Sequence, residues 1–261
     1  MVVENQAGAN GNIGVGRVAR AAPDGYTLIV GHWSTHVVNG AVYTLTHDVL
    51  KDFEPVALIA TSGLVIVVNP QVPARSMKEL IELAKRQPGK LHYSSPGNGG
   101  PQHLAMELVK LETGIDIVHV PYKAAAGALA DVVGGHVDAT VAAVQTAHPQ
   151  VQAGRLRALA VMSLERSPAY PDVPTMKEQG LTDLEVETWY GAFVPGGTPA
   201  ELVQKLNGDI NTVLREAQIR DALEKQGMTH AGGTPQRMGE LLKKELPRWS
   251  RVVGAAGIKA D

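Results

Sequence analysis

The stretch that decides the fold is residues 93–104, which read Tyr-Ser-Ser-Pro-Gly-Asn-Gly-Gly-Pro-Gln-His-Leu. The alternating residues 91–95 predict a short strand, and the run from Pro101 to Thr113 predicts a helix with leucines on one face. Pro101 suits the first helical position because its missing N–H would have no partner there, and Gly114 suits the helix stop. The turn between strand and helix therefore brings backbone N–H groups, a positive helix end and two serine hydroxyls together. That combination is typical of a site for a carboxylate or a phosphate.

A second interpretation of this turn needs no ligand, because glycines also serve a tight strand-to-helix reversal. Two other loops favour the interpretation of this turn as a ligand-binding site. Pro121-Tyr122-Lys123 and Gln145-Thr146 each follow a further predicted strand. In a parallel sheet they would crowd the same rim as residues 94–100, which a site needs and a mere turn does not.

Length and composition restrict the class of protein. A chain of 261 residues exceeds the usual size of one domain and predicts two lobes, with one large α/β domain as the alternative. A net charge of −2 with 19% charged residues offers no basic surface for nucleic acid or anionic membrane. Since there is no cysteine, disulfides and thiolate metal sites are excluded. No apolar run reaches membrane-spanning length, and residues 1–4 do not read as a signal peptide, so the chain taken literally is not exported.

Strand and helix patterns alternate through the middle of the chain and predict an α/β fold with a parallel sheet. The predicted strands are 26–31, 56–69 (with a polar break at 61–63), 91–95, 117–120, 137–144, 156–162 and 184–194. The predicted helices are 13–22, 77–86, 101–113, 128–133, 149–153, 198–217 and a last one after Pro235. Capping signals at Ser76, Thr198 and Thr234 set three of the helix starts.

The segment His32-Trp33-Ser34-Thr35-His36 directly follows a predicted strand. Loops at the carboxyl ends of strands bind ligands in open α/β sheets, so Ser34, Thr35 and His36 are predicted hydrogen-bond donors. Two histidines four residues apart suit a metal only on a helix, and this segment carries no helix signal, so we expect no metal site.

Glycines at 8, 11, 14 and 16 do not match the dinucleotide spacing and instead favour close packing of a helix on a sheet. The sequence therefore predicts no cofactor.

Several short motifs run in order along almost the whole chain. They are residues 3–5 (VEN), 8–14 (GANGNIG), 22–28 (APDGYTL), 120–123 (VPYK), 154–160 (GRLRALA), 172–175 (DVPT), 189–191 (WYG) with 195–199 (PGGTP), and 255–258 (AAGI). In this order they resemble the periplasmic receptors of tripartite tricarboxylate transporters, the Bug family. Each motif alone is weak, whereas the ordered set is specific.

The resemblance implies a two-lobed, type II periplasmic-binding-protein fold, each lobe a mostly parallel sheet flanked by helices. Residues 1–68 would form the first lobe, 69–190 the second, and 191–261 would return to the first. The receptor would work as a periplasmic monomer, without enzymatic activity, metal or cofactor. It would close about a hinge on a small carboxylate, such as a dicarboxylate, an aromatic acid or an amino acid, and deliver it to membrane transporter subunits. Carried over by position, the ligand contacts would be Ser94, Ser95, Gly97, Asn98 and Gln145 in the second lobe, and Thr35, His36 and Ser62 in the first.

The chain departs from the family pattern in two places. Family members carry an export signal, a first strand, a ligand-facing loop and a helix before the position of Val2, and here these are absent. Either the natural protein is longer, or the first lobe lacks a central strand and part of its ligand clamp. Ala124 and Ala125 also stand where relatives tend to have glycine, and a methyl group there would narrow the pocket.

Two other classes of protein remain open from the residues. An acyl- or phosphoryl-transfer enzyme could use residues 95–100 as an anion site. However, the sequence shows no recognisable histidine and acid to activate Ser94 or Ser95, and no spacing places a known base next to His103. An effector-sensing regulatory lobe is the other, although no helix-turn-helix or basic segment is present. Turnover of a carboxylate ester would favour the enzyme.

Overall fold

The computed structural model describes residues 2–259, which form two compact units. The first comprises Met1–Thr61 and Thr188–Asp261, and the second comprises Ser62–Glu187. Compared with the lobes predicted above, residues 62–68 lie in the second unit and residues 188–190 in the first.

Helices and strands alternate along most of the chain. The helices are α1 (Asn12–Ala19), α2 (Asn39–Val42), α3 (Met77–Arg86), α4 (Pro101–Thr113), α5 (Ala125–Val133), α6 (Val144–Gln152), α7 (Ala200–Leu214), α8 (Ala217–Lys225) and α9 (Pro235–Ala255). The strands are β1 (Ile29–His32), β2 (Phe53–Val68), β3 (His92–Ser95), β4 (Val118–Pro121), β5 (Ala139–Ala143), β6 (Arg157–Val161), β7 (Glu187–Pro195) and β8 (Thr229–His230). Most of the predicted elements are present with ends that differ by a few residues, whereas α2, α8 and β8 were not predicted.

The sheet of the second unit is mixed. Its strands lie in the order β2-β5-β3-β4, and β6 also pairs with β2. Strand β3 runs parallel to both β4 and β5, as the crossover helices α4 and α5 require. Strand β2, however, runs antiparallel to both β5 and β6. The prediction of a mostly parallel sheet is therefore wrong in this detail, because β6 returns beside β2 instead of extending the parallel set.

The pairs resolved in the first unit are also antiparallel. Strand β1 pairs with β7, and β8 pairs with the first part of β2 at Ala60 and Thr61. Apolar residues of β2, β7 and α7 pack together as its core, among them Val56, Val194 and Val203.

Side-chain caps fix two helix starts as the sequence predicts. The Ser76 hydroxyl accepts a hydrogen bond from the Glu79 N–H at 3.2 Å, and the Thr234 hydroxyl accepts one from the Arg237 N–H at 3.2 Å. The predicted cap at Thr198 is wrong: its hydroxyl donates to the Pro195 carbonyl at 2.7 Å, and α7 begins only after Pro199.

A buried carboxylate ties together the tryptophans of the first unit. Glu245 of α9 accepts hydrogen bonds from the indole N–H of Trp33 at 2.7 Å and that of Trp189 at 3.3 Å. The ring of Trp33 packs edge-on against Trp249, with 4.8 Å between centroids. Burial raises the pKa of Glu245. The hydrogen bonds from the two indoles lower this pKa and so offset part of the rise. Trp189 is thus a core residue.

Candidate functional site

Three helices of the second unit begin at one edge of its sheet without a cap. Helices α4, α5 and α6 each start within a few residues of the carboxyl end of a strand, β3, β4 and β5 respectively, and these strands are mutually parallel. In none of the three does a side chain accept a first-turn N–H, and none carries an acidic residue in its first turn. Among the helices of residues 2–259, α3 and α9 are capped by Ser76 and Thr234 and the others have no such cap, so what distinguishes α4, α5 and α6 is that they begin at the same edge of one sheet. The positive ends of three helices are thus left for an anion at one edge.

A small cleft joins these helix ends. Its lining includes Pro96, Gln102 of α4, Ala125 of α5 and Thr146 of α6. Its volume of about 30 Å³ accommodates one or two water-sized groups, such as the oxygens of one carboxylate.

A larger cleft of about 360 Å³ lies at the opposite edge of the sheet, where Lys90, Leu91, Gly135 and Asp138 precede β3 and β5. Ligands of α/β sheets bind at the carboxyl ends of strands, so the smaller cleft is the candidate site.

The glycine loop, residues 96–100, connects β3 to α4. Gly97 has φ 144° and Gly99 has φ 71°, values that residues with a Cβ rarely adopt. A Cβ on Gly97 would meet its nearest neighbour, the Tyr122 carbonyl oxygen, only at 3.7 Å. Glycine is therefore required at position 97 by its backbone conformation and not by lack of space for a side chain. Pro101 opens α4 and Gly114 ends it with φ 67°, which confirms the strand-turn-helix prediction.

A polar cluster of the buried Ser95 and His103 and the half-buried His119 lies behind this loop, and we call these three residues the histidine cluster. The Ser95 hydroxyl lies 2.7 Å from Nε2 of His119, donates to the Gly97 carbonyl at 2.9 Å and accepts the Gly97 N–H at 3.2 Å. The Gly99 N–H donates to Nδ1 of His103 at 2.9 Å. The two imidazoles stack with 4.0 Å between centroids and 9° between planes. Contrary to the sequence interpretation, Ser95 does have a histidine partner.

Burial keeps both histidines of the cluster neutral. Desolvation, together with the smaller effect of the neighbouring His103, lowers the pKa of His119 to about 4. Desolvation also lowers the pKa of His103, against the attraction of Glu107. A neutral His103 that accepts at Nδ1 carries its proton on Nε2.

The predicted second-lobe residues divide into two groups. Gly97 is partly exposed, and Asn98 and Gln145 are exposed, so these three can meet a ligand at this edge. Ser94 and Ser95 are fully buried, and Ser94 donates to the carbonyl of Ala128 at 2.9 Å. The serines therefore hold the loop and the sheet instead of facing the cleft, which corrects the expected direct contact.

The predicted first-lobe residues are placed differently from the expectation. Residues 34–38 form a π-helical turn, not a loop. His36 within it is fully buried, and its ring stacks on Phe193 with 4.2 Å between centroids. Burial lowers its pKa to about 3. The Thr35 hydroxyl bonds to the backbone of His32 and lies 2.9 Å from Nδ1 of His36, so both side chains serve local packing. Ser62 is partly buried and belongs to the second unit.

Sequence reasoning missed Gln102 and His119 as parts of this region, whereas it placed Ala125 beside the pocket. The usable signal for Gln102 was its position in the first turn of a helix that follows a parallel strand, where a site is expected. Within residues 2–259, no group of three or more histidine, aspartate and glutamate side chains is arranged to hold a metal ion. In the same range, no helix is long and apolar enough to span a membrane.

Comparison with known proteins gives consistent matches over nearly the whole chain. The model of the tripartite tricarboxylate transporter family receptor matches residues 1–258. Protein BugT of Bordetella pertussis is 34% identical over 261 residues, which cover 99% of this chain and 80% of BugT.

Two solved structures of similar proteins hold small carboxylates. R. palustris Rpa4515 with adipate superposes with a TM-score of 0.77 at 35% identity, covering 99% of this chain and 87% of that one. MatC from Rhodopseudomonas palustris with bound malate gives a TM-score of 0.72 at 33% identity, covering 94% and 85%. These matches show that the chain belongs to the family of tripartite tricarboxylate transporter receptors.

Proposed function

We propose that this receptor captures a small organic dicarboxylate at the first turns of α4, α5 and α6 and presents it to the membrane subunits of its transporter. The observation that carries the proposal is the set of three uncapped helix ends, free of acidic residues, around one cleft. Helix ends of this kind attract an anion without a lysine or an arginine.

The proposed contacts are the glycine loop, apart from the N–H groups of Gly97 and Gly99 that are bonded inward, together with the first-turn residues. Gly97, Asn98 and Gln145 are retained from the sequence prediction, and Gln102, Ala125 and Thr146 are added because they line the cleft or its rim. Since the cleft is small, one carboxylate enters it and the body of the ligand lies outside. Backbone N–H groups bind the carboxylate but do not contact the rest of the ligand.

A dicarboxylate is the proposed class because two relatives in the same family hold adipate and malate. The exposed methyl group of Ala125 at the rim favours an aliphatic ligand body over one rich in hydroxyls. We therefore expect adipate to bind more tightly than malate.

Thermal unfolding with a panel of organic acids tests the proposal. A ligand at about 100 times its dissociation constant adds about 2.7 kcal/mol to the free energy of unfolding. Dimethyl adipate is the matched control, because it has the same carbon chain and no charge. A rise in Tm with adipate but not with the diester supports the proposal. No rise with any acid contradicts it.

The same diester tests the enzyme alternative, which the contact between Ser95 and His119 raises. Nucleophilic catalysis needs an exposed hydroxyl and a histidine oriented by an acid. The Ser95 hydroxyl is buried, and Glu107 approaches His103, at 3.8 Å, but makes no hydrogen bond to His119 among the described residues. We infer that the protein binds without turnover, and hydrolysis of dimethyl adipate would overturn that inference.

Location, hinge closure and oligomeric state stay predictions. We propose the periplasm as the place of action, since receptors of this family serve uptake from there. Cell fractionation of the natural protein tests the location, and size-exclusion chromatography tests the expected monomer.

A further inference from the structure

His103 occupies a special position in α4. Gly100 is the N-cap residue and Pro101 the first helical residue, so His103 is the third residue of the helix. In a capping box, the third residue bends back and accepts the N–H of the N-cap residue. His103 bends back one residue further, and its Nδ1 accepts the N–H of Gly99 at 2.9 Å. The imidazole therefore does not cap α4 itself but holds the loop that precedes it.

This bond fixes the glycine loop from the inside. The amide of Gly99 is directed to His103, and the amide of Gly97 is directed to the Ser95 hydroxyl, which His119 contacts in turn. With two amides held inward, the backbone between them is oriented by the histidine cluster. The loop conformation therefore depends on both imidazoles.

Protonation would destroy one of these bonds. Once Nδ1 of His103 carries a proton, it faces the Gly99 N–H as a second donor, and two donors repel each other. The loop must then move away. His119 is stacked on His103, so a second positive charge at 4.0 Å between ring centroids would add repulsion.

The charged and titratable groups around His103 come from three elements. On α4, Oε1 of Glu107 lies 3.8 Å from Nε2 of His103, and Lys110 neutralises that carboxylate at 2.7 Å. On β3, the Tyr93 hydroxyl donates to the same Oε1 at 2.7 Å. On β4 stands His119, and β5 carries no titratable residue. Since Glu107 is already engaged twice, it only partly offsets a charge on His103.

We propose that His103 is a positioning residue that holds the glycine loop in its carboxylate-binding conformation only while Nδ1 is unprotonated, so that the receptor releases its ligand on acidification. This inference rests on the proposed carboxylate site. Its consequence is that ligand affinity depends on pH through a group that does not touch the ligand.

The first experiment needs no ligand. The amide resonances of Gly97 and Gly99 are followed by NMR in the ligand-free protein from about pH 8 to about pH 4.5. We expect both to shift together with the ring protons of His103. Amides that stay unchanged while His103 titrates overturn the inference.

The second experiment compares three proteins in adipate binding by calorimetry. H103N keeps an acceptor near the position of Nδ1 but cannot titrate, H103L has no acceptor, and H136N is the surface control. At neutral pH we expect H103L to bind about tenfold more weakly than the wild type, the weight of one hydrogen bond, and H103N to bind nearly as well.

Lowering the pH should change the adipate affinity of the variants by different amounts. Adipate itself takes up protons at low pH, and the loss of affinity from this cause is the same for all variants. Below the pKa of His103, the affinity of the wild type relative to H103N should fall by about tenfold per pH unit, and H136N should follow the wild type. Parallel curves for wild type and H103N overturn the inference. If no protein binds adipate or any other acid, the proposed function fails instead, and the Gly99 resonance still decides whether His103 controls the loop.

Discussion

Gly31 lies directly against the imidazole of His36, so that a Cβ added at Gly31 would overlap three atoms of that ring. The ring cannot retreat, because it is fully buried and stacks on Phe193. The glycine in β1 is therefore required by space, not by backbone conformation.

Replacing Gly31 with alanine should destabilise the protein by about 1–3 kcal/mol, since the added methyl overpacks a rigid core. Gly208, exposed in the interior of α7 with no neighbour near its Cβ position, is the matched control. There the same change should stabilise by about 0.5–1 kcal/mol. Urea unfolding measures both. Equal effects at the two sites would show that the contact with His36 is not restrictive.

Glu245 should make stability depend on pH. Its pKa is raised by burial, so the folded state holds a proton that the unfolded state has already lost. Stability therefore falls as pH rises from the ordinary glutamate value through the folded-state pKa. Relative to E245Q, the wild type should lose about 1.4 kcal/mol for each unit by which the pKa is raised.

Chemical unfolding at several pH values measures this difference. The control is E240Q, on an exposed position of the same helix, which should follow the wild type at every pH. A constant difference between wild type and E245Q would mean that Glu245 titrates as it does in water.

Substitution of Gly97 should remove ligand binding with modest loss of stability. Valine at φ 144° is strained and forces the glycine loop to change. Gly114 has φ 67° at the other end of α4, with open space at its Cβ position, so G114V carries comparable backbone strain away from the cleft. Calorimetry with adipate should show binding at least about tenfold weaker for G97V and nearly unchanged for G114V. Equal losses of adipate affinity in G97V and G114V would mean that the substitutions weaken binding only by destabilising the protein.

An acidic residue at Thr146 should change stability and binding in opposite directions. This position lies in the first turn of α6, where a carboxylate side chain stabilises the helix by about 0.3–1 kcal/mol. The same charge would occupy the cleft and repel a bound carboxylate. T146E should therefore raise the Tm and abolish adipate binding, while the isosteric T146Q should leave binding largely intact. If T146E still binds adipate, the site lies elsewhere.

Local signals in the sequence were sufficient for the centre of the second unit. Pro101 and Gly114 mark the two ends of α4, whose position therefore follows from short-range chemistry. Ser76 caps a different helix, α3, by accepting the N–H of the residue three positions ahead. Such features depend on neighbours in the chain. They are therefore readable without the fold.

The orientation of side chains was not readable in the same way. His36 is buried because Phe193, far along the chain, provides the ring on which it stacks. Ser95 finds His119 because β3 and β4 pair in parallel with Tyr93 opposite His119. Neither partner has a fixed spacing, and the order of strands decides both. The same reason explains why β6 was not expected beside β2.

The tryptophans of this protein offer a selective optical probe. The sequence contains three, Trp33, Trp189 and Trp249, and all of them lie in the first unit. Two donate to one buried carboxylate, so their emission responds to the integrity of that core. The second unit holds only tyrosine as a fluorophore. Indole emission recorded beside far-UV circular dichroism would therefore distinguish melting of one half from melting of the whole polypeptide, without any label.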